Sequence, residues 1–156
     1  MSRRNSAKAR EILPDPKFGS LVVAKIINQI MIAGKKGIAE NIVYKALEIL
    51  EEKSGMSAME ALDKVLENTK PVIETKPRRV GGANYQIPVE VRPARAQTLA
   101  IRWLVAFAKK RNDRGMGNRL GSELVDAFNG TGGAIKRREE VHRMAESNKA
   151  FAHFKF

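Results

Sequence analysis

Apolar side chains at Val23, Ile26, Ile27, Ile30 and Met31 recur in steps of three and one, which places them on one side of a helix of 3.6 residues per turn. Ser20 stands where such a helix needs an N-cap, and Gly34 supplies a stop that tolerates left-handed backbone. After the basic loop GKKG, a second stripe runs through Ile38, Ile42, Val43, Ala46, Leu47 and Leu50 and ends at Ser54 and Gly55. A third helix opens with the spacing of a capping box, Ser57 followed three residues later by Glu60. It buries Leu62, Val65 and Leu66 before Pro71 ends it.

The period then drops from about 3.6 to 2. In YQIPVEV, Tyr85, Ile87, Val89 and Val91 share one face and Gln86, Pro88 and Glu90 the other, with GGAN as the turn. Pro77 and Pro88 have no N–H to give a ladder, so the ribbon is expected to have two strands, at about residues 72–91, and to depend on something else for stability. Pro93 suits the first turn of a fourth helix, whose stripe is Leu99, Ala100, Trp103, Ala106 and Phe107 as far as Arg111. Met116, Leu120, Leu124, Val125 and Phe128 predict a fifth, stopped at Asn129 and Gly130. Ile135, Val141, Met144 and Ala145 predict a sixth from about Ala134 to Ala150. The expected fold is mostly α, six helices with a protruding two-stranded hairpin between helices three and four. Residues 1–19, with Pro14, Pro16 and little periodicity, are expected to form a basic, extended, mobile arm, and residues 20–156 a single domain.

Charge changes the picture. The 156 residues carry 29 Lys and Arg against 17 Asp and Glu, a net charge of +12, and no cysteine. That excess predicts a polyanionic partner. The sign is also segregated: Lys76 to Arg114 holds ten basic residues and two acids, a balance of +8, whereas Glu40 to Glu74 holds eight acids and four lysines. Arg95, Arg102 and Lys109 are seven apart, so they drift only about 20° per step along one side of helix four. On a lone helix this is an ordinary solvated face, but here it joins the ribbon, with Lys76, Arg78 and Arg79 expected at its base, to KKRNDRG, and the three together predict a phosphate-binding track. Gly81 and Gly82 permit close approach at the ribbon tip, where Tyr85 either stacks on a base or packs across the hairpin against Val80. The longest apolar run, LVVAKIINQIMIA, is interrupted by Lys25, Asn28 and Gln29 and is too short to span a bilayer, so no membrane partner is expected. The absence of a secretory signal pattern and of cysteine fits a cytosolic address.

Candidate chemistry adds little. His142 and His153 lack H-E-x-x-H spacing, which favours packing roles over a metal. GMGNRLG, residues 115–121, has one residue too many for a dinucleotide fingerprint and follows a helix. GTGGA before helix six lacks the Lys and Ser/Thr of a P-loop and reads as an interhelical loop. No catalytic residue, metal, cofactor or small-molecule substrate is expected. An architectural duplex-DNA binder is the alternative reading, and an enzyme acting on phosphate groups a third.

Three stretches, ILPDPKFGS (Ile12 to Ser20), RRVGGANYQIPVEVRP (Arg78 to Pro93) and VHRMAESNKAFAHF (Val141 to Phe154), resemble the family of ribosomal protein seven of the bacterial small subunit, in the family's order and over essentially the whole chain. The resemblance implies a six-helix bundle with a hairpin, and a structural, non-enzymatic role. It implies a primary binder of the 3′ major domain of small-subunit ribosomal RNA that nucleates head assembly. It further implies that the hairpin and last helix lie near exit-site transfer RNA and messenger RNA, beside ribosomal proteins nine and eleven. Carried onto this sequence with the charge reading, the ribosomal RNA contacts are Arg3, Arg4, Lys8, Arg10 and Lys17 in the arm, Lys35 and Lys36, then Lys76, Arg78, Arg79, Arg92, Arg95, Arg102, Lys109, Lys110, Arg111 and Arg114. The exit-site surface is Gly81, Gly82, Ala83, Asn84 and Tyr85 with Arg143 and Asn148. Asn5 and the ending HFKF depart from the family pattern. The implied location is a cytoplasmic ribosome, with a plastid ribosome left open.

Overall fold

A computed structural model describes residues 10–154. In chain order they form α1 (Leu21–Ile30), α2 (Lys36–Ser54), α3 (Ala58–Thr69), β1 (Ile73–Val80), β2 (Ala83–Glu90), α4 (Pro93–Lys110), α5 (Met116–Phe128) and α6 (Gly133–Ser147), closed by a 3₁₀ turn at Lys149–Phe154. The six helices and the hairpin between α3 and α4 keep the order that periodicity predicts. Local chemistry explains the boundaries. Ser20 Oγ accepts from Val22 N at 3.2 Å and Val23 N at 3.5 Å, and Ser57 Oγ accepts from Glu60 N at 3.4 Å, so two helix starts have their free N–H groups met by hydroxyls. Pro93 is the first residue of α4, where a missing N–H costs nothing.

The core is formed by α1 to α5, with Ala134 and Ile135 of α6 completing it. Its largest enclosed side chains include Ile27, Leu47, Leu50, Leu62, Leu66, Leu104, Leu120 and Leu124. Each such aliphatic side chain contributes about 1.5–3 kcal/mol through its burial. GMGNRLG has a packing role. Gly117 and Gly121, one turn apart on α5, lie against Lys45 and Ile49 of α2, and a Cβ on Gly121 would meet Ile49 at 2.9 Å. The spacing that resembles a nucleotide fingerprint lets two helices approach closely.

Four expectations are corrected. α1 ends at Ile30, before Gly34, because Met31 already has extended ψ. α2 begins at Lys36 inside the predicted loop, and its first turn directs Ala39 into the core, which leaves Ile38 60% exposed. On α4 the buried stripe is Ala96, Ala100, Ile101, Leu104, Val105 and Ala108, while Ala106 is exposed and Leu99, Trp103 and Phe107 are half-buried on one flank. A helix apolar over so wide an arc has no unique phase until its neighbours are in place. Met144 of α6 is exposed, and α6 stops at Ser147, short of Ala150.

The segment expected to be mobile as far as residue 19 is anchored in its last part. Asp15, only 3% exposed, accepts through Oδ2 from Lys17 N at 3.1 Å and Phe18 N at 3.0 Å, and through Oδ1 from Tyr44 Oη–H at 2.7 Å. Phe18 packs on the core and on the Tyr44 ring. Burial, then the hydrogen bond to and charge of Asp15, push the Tyr44 hydroxyl up to about 12.

Candidate nucleic-acid interface

The ribbon is a two-residue hairpin, which corrects the expected GGAN turn, since Ala83 and Asn84 already pair within β2. Val80 pairs with Ala83, and Gly81 and Gly82 both have positive φ, 58° and 89°, as a type I′ turn requires. From that register, pairs alternate between inward- and outward-facing backbone, and the two prolines (Pro77 opposite Gln86, Pro88 opposite Thr75) fall on outward pairs. No inner ladder bond is lost, and each outer edge lacks a donor, which blunts strand addition.

The same register corrects the placement of the arginines. Arg78 and Arg79 stand beside the turn, opposite Tyr85 and Asn84, and not at the base. Being adjacent, they point to opposite faces: Arg78 with Lys76, Tyr85 and Ile87, and Arg79 with Asn84 and Gln86. In that register Tyr85 stands opposite Arg78. Its ring packs on Phe151 of the 3₁₀ turn, with centroids 5.0 Å apart. Gly81, Gly82, Ala83 and Asn84 are exposed at the tip.

At the foot, Glu74 ties the hairpin to α4. It is 8% exposed, and its Oε1 and Oε2 accept from Arg95 Nε at 2.8 and 3.0 Å, with Lys76 Nζ 3.8 Å away. The hydrogen bond and the charge of Glu74 hold the Arg95 guanidinium above its ordinary pKa. The corrected phase of α4 places Arg95, Arg102 and Lys109 opposite the buried stripe, so they form an exposed ridge. Beside that ridge, Lys25 Nζ of α1 donates to Gln97 Oε1 at 2.7 Å. A groove of about 260 Å³ there is lined by Ile12, Lys25, Asn28, Gln29, Thr98 and Ile101. A second groove, of about 290 Å³, shares Ile12 and Asn28 with it and reaches Arg10 and Lys36. One surface thus joins the N-terminal segment, α1, the start of α2, α4 and the foot of β1.

Several sequence candidates lie elsewhere or are engaged. Lys17 pairs with Glu48 at 3.4 Å and sits 4.9 Å from the Tyr44 ring centroid. Lys36 pairs with Glu40 at 3.6 Å, and Lys110 lies over Phe107. Lys35, Arg92, Lys109 and Arg114 are exposed. Arg111 turns inward: Nη1 donates to Glu123 Oε2 at 2.8 Å and Asp126 Oδ2 at 2.7 Å, and Nε to Asp113 Oδ2 at 3.2 Å. Burial works against its charge, but those three carboxylates outweigh it and raise its pKa. Glu123, 1% exposed, also accepts from Ala134 N at 3.0 Å. A carboxylate of this protein therefore occupies the N-terminus of α6 that GTGGA offered to a phosphate. Arg143 is exposed on α6, bordering a groove with Phe107, Lys136 and Arg137, and Asn148 caps that helix, its Nδ2 donating to Met144 O at 2.7 Å. Arg3, Arg4 and Lys8 lie outside the described residues.

Sequence reading passed over Lys25, Asn28 and Gln29. They appeared as interruptions of an apolar run, yet spacings of three and four put them on one helix face, the face that borders α4. It also passed over Arg119, whose Nε donates to Asp113 O at 2.7 Å, and Arg138, which bonds Asn68 O; both are structural.

A helical body whose basic residues are gathered from separate segments onto one face, beside a ribbon clamped to its longest exposed basic helix, belongs to the class of scaffold proteins suited to a polyanion. The family profile described as Ribosomal protein S7p/S5e matches residues 2–149. The small ribosomal subunit protein uS7 of Chromobacterium violaceum is 58% identical over all 156 residues of both chains. Those of Neisseria gonorrhoeae and Carboxydothermus hydrogenoformans are 56% and 53% identical over the same full lengths. The chain belongs to the Ribosomal protein S7p/S5e family and is a structural component of the small subunit of a bacterial cytoplasmic ribosome, not an enzyme.

Proposed function

We propose that the face built by the N-terminal segment, α1, α4 and the hairpin foot binds the 3′ major domain of small-subunit ribosomal RNA, and that this binding nucleates assembly of the subunit head. The hairpin tip and the end of α6 then lie toward exit-site transfer RNA and messenger RNA, with ribosomal proteins nine and eleven as neighbours. The observation that supports the reading most is the clamp at Glu74. A nearly buried carboxylate holds Lys76 and Arg95 within one cluster, so ribbon and helix present cations as a unit. Ordinary linkers would let the ribbon swing.

Arg102 gives the cleanest test, because it is exposed and the Glu74 clamp does not involve it. Filter-binding titrations of the head-domain RNA fragment at several salt concentrations should show that Arg102→Ala lowers affinity and reduces the slope of log K against log salt by about 0.7–0.9. Arg95→Ala removes a cation and also orphans Glu74, so Glu74→Gln serves as its control. An unchanged slope for Arg102→Ala removes α4 from the interface. Equal competition by duplex DNA favours the architectural DNA-binding alternative.

A further inference from the structure

Residues 10–14 are all exposed, and among the described residues no hydrogen bond joins them to the helices; the first tie met along the chain is Asp15. Its carboxylate, 3% exposed, gathers the N–H groups of Lys17 and Phe18 and the hydroxyl of Tyr44 on α2. Asp15 N–H donates to Ser20 O at 3.2 Å and Asp15 O accepts from Gly19 N–H at 2.7 Å, so the turn closes on the residue that caps α1. Enclosing a carboxylate this fully is costly unless its hydrogen bonds are met. Holding the chain down does not require one, because Phe18 already packs on the core. What donors from two separate elements add is a fixed direction.

Pro14 and Pro16 flank Asp15. Each has a fixed φ and drives the residue before it toward extended backbone, so the direction set at Asp15 is passed upstream and not lost at a free hinge. Upstream of Pro14, Arg10 and Ile12 line a groove with Ala24 and Asn28 of α1 and Lys36 of α2. Ile12 also borders the groove beside Thr98 and Ile101 of α4. The segment is thus led along α1 toward the basic ridge.

We propose that Asp15 and Tyr44 are positioning residues: without touching RNA, they aim Arg10 and the basic chain that precedes it at RNA held on the α1–α4 face. The proposal rests on the reading of that face as the RNA interface and adds the source of the N-terminal segment's contribution. A segment already pointed at its partner loses less freedom on binding.

The test is a double-mutant cycle in the full-length protein, read by filter binding to the head-domain RNA fragment below the melting range. Tyr44→Phe deletes one hydroxyl and keeps the ring that Phe18 packs on. Pro14→Gly, at an exposed position, frees the link and leaves the bonds of Asp15 in place. Each should weaken RNA binding by about three- to tenfold, the equivalent of ordering one or two side chains. Neither should do so in a background combining Arg3→Ala, Arg4→Ala, Lys8→Ala and Arg10→Ala, because no cation is left to aim. A purely structural role gives a loss of the same size in both backgrounds. That equal loss, or unchanged affinity in either single variant, overturns the positioning role, while weaker binding by the four-fold variant still keeps the segment as an RNA contact. A four-fold variant that binds as tightly as the parent removes the N-terminal segment from the RNA interface, and the positioning role falls with it.

Discussion

Arg111 separates a structural cation from a functional one. It lies in the most basic part of the chain, and counting charge alone makes it an RNA contact. Its geometry gives a different expectation for Arg111→Met, which keeps most of the aliphatic stem and removes the charge. Breaking a buried ion pair by deleting one partner costs about 3–5 kcal/mol, because the remaining charge is left uncompensated. Two features lower the figure. Glu123 retains its bond from Ala134 N–H at the α6 N-terminus, and the Arg111 side chain is 28% exposed, so water reaches part of the cluster. The bonds to Asp113 and Asp126, whose side chains are 43% and 38% exposed, contribute little more than surface pairs. The expected loss is about 3 kcal/mol, which lowers the melting temperature of a domain this size by about 6–12 °C. Adding Glu123→Gln should recover part of that loss, since an amide does not carry a stranded charge. Circular dichroism melts of the free protein measure the stability, and filter binding below the melting range measures the RNA salt slope. The slope should be unchanged in Arg111→Met. A fall of about 0.7–0.9 in the slope with no loss of stability refutes the structural assignment.

His142 couples the hairpin to pH. Burial, aided by the positive charge of Arg138, lowers its pKa below 6.5, because the neutral ring is the form that accepts from Val72 N–H. The unfolded chain then binds more protons than the folded one between the lowered value and about 6.5, so stability falls as pH drops through that window and is fully present above it. The protection factor of the Val72 amide, its exchange rate corrected for the intrinsic pH dependence, should fall on acidification across this range and stay constant in His142→Gln; a constant protection factor in the parent protein argues against the bond. Gly133 tests packing at the α4–α6 contact. A Cβ there would sit 2.4 Å from Phe107 Cδ1, so Gly133→Ala should destabilise by about 1–3 kcal/mol in urea melts, and Phe107→Leu in the same chain should relieve part of that loss. Equal stability for Gly133→Ala and the parent contradicts the close approach.

Six helices and one ribbon were determined by the sequence alone because each is a local matter. Ser20 caps α1 and Ser57 caps α3, Pro93 opens α4, and GGAN marks the turn, although only the structure shows that Gly81 and Gly82 alone form it. The three long motifs also identify the family without coordinates. What only the tertiary structure decided is which way the ambiguous elements turn and which charges are already neutralised. α4 is apolar over too broad an arc for its own periodicity to choose a phase; contact with α1, α5 and α6 chose it, burying Ile101, Leu104 and Val105 and leaving Leu99, Trp103 and Phe107 on a flank. Arg111 and Arg102 look alike in sequence, yet residues 12 and 15 positions later supply Glu123 and Asp126 to one of them. Lys25 looked like a flaw in an apolar run until Gln97, 72 residues away, met it. Backbone preference depends on near neighbours along the chain, whereas the fate of a charge depends on neighbours in space.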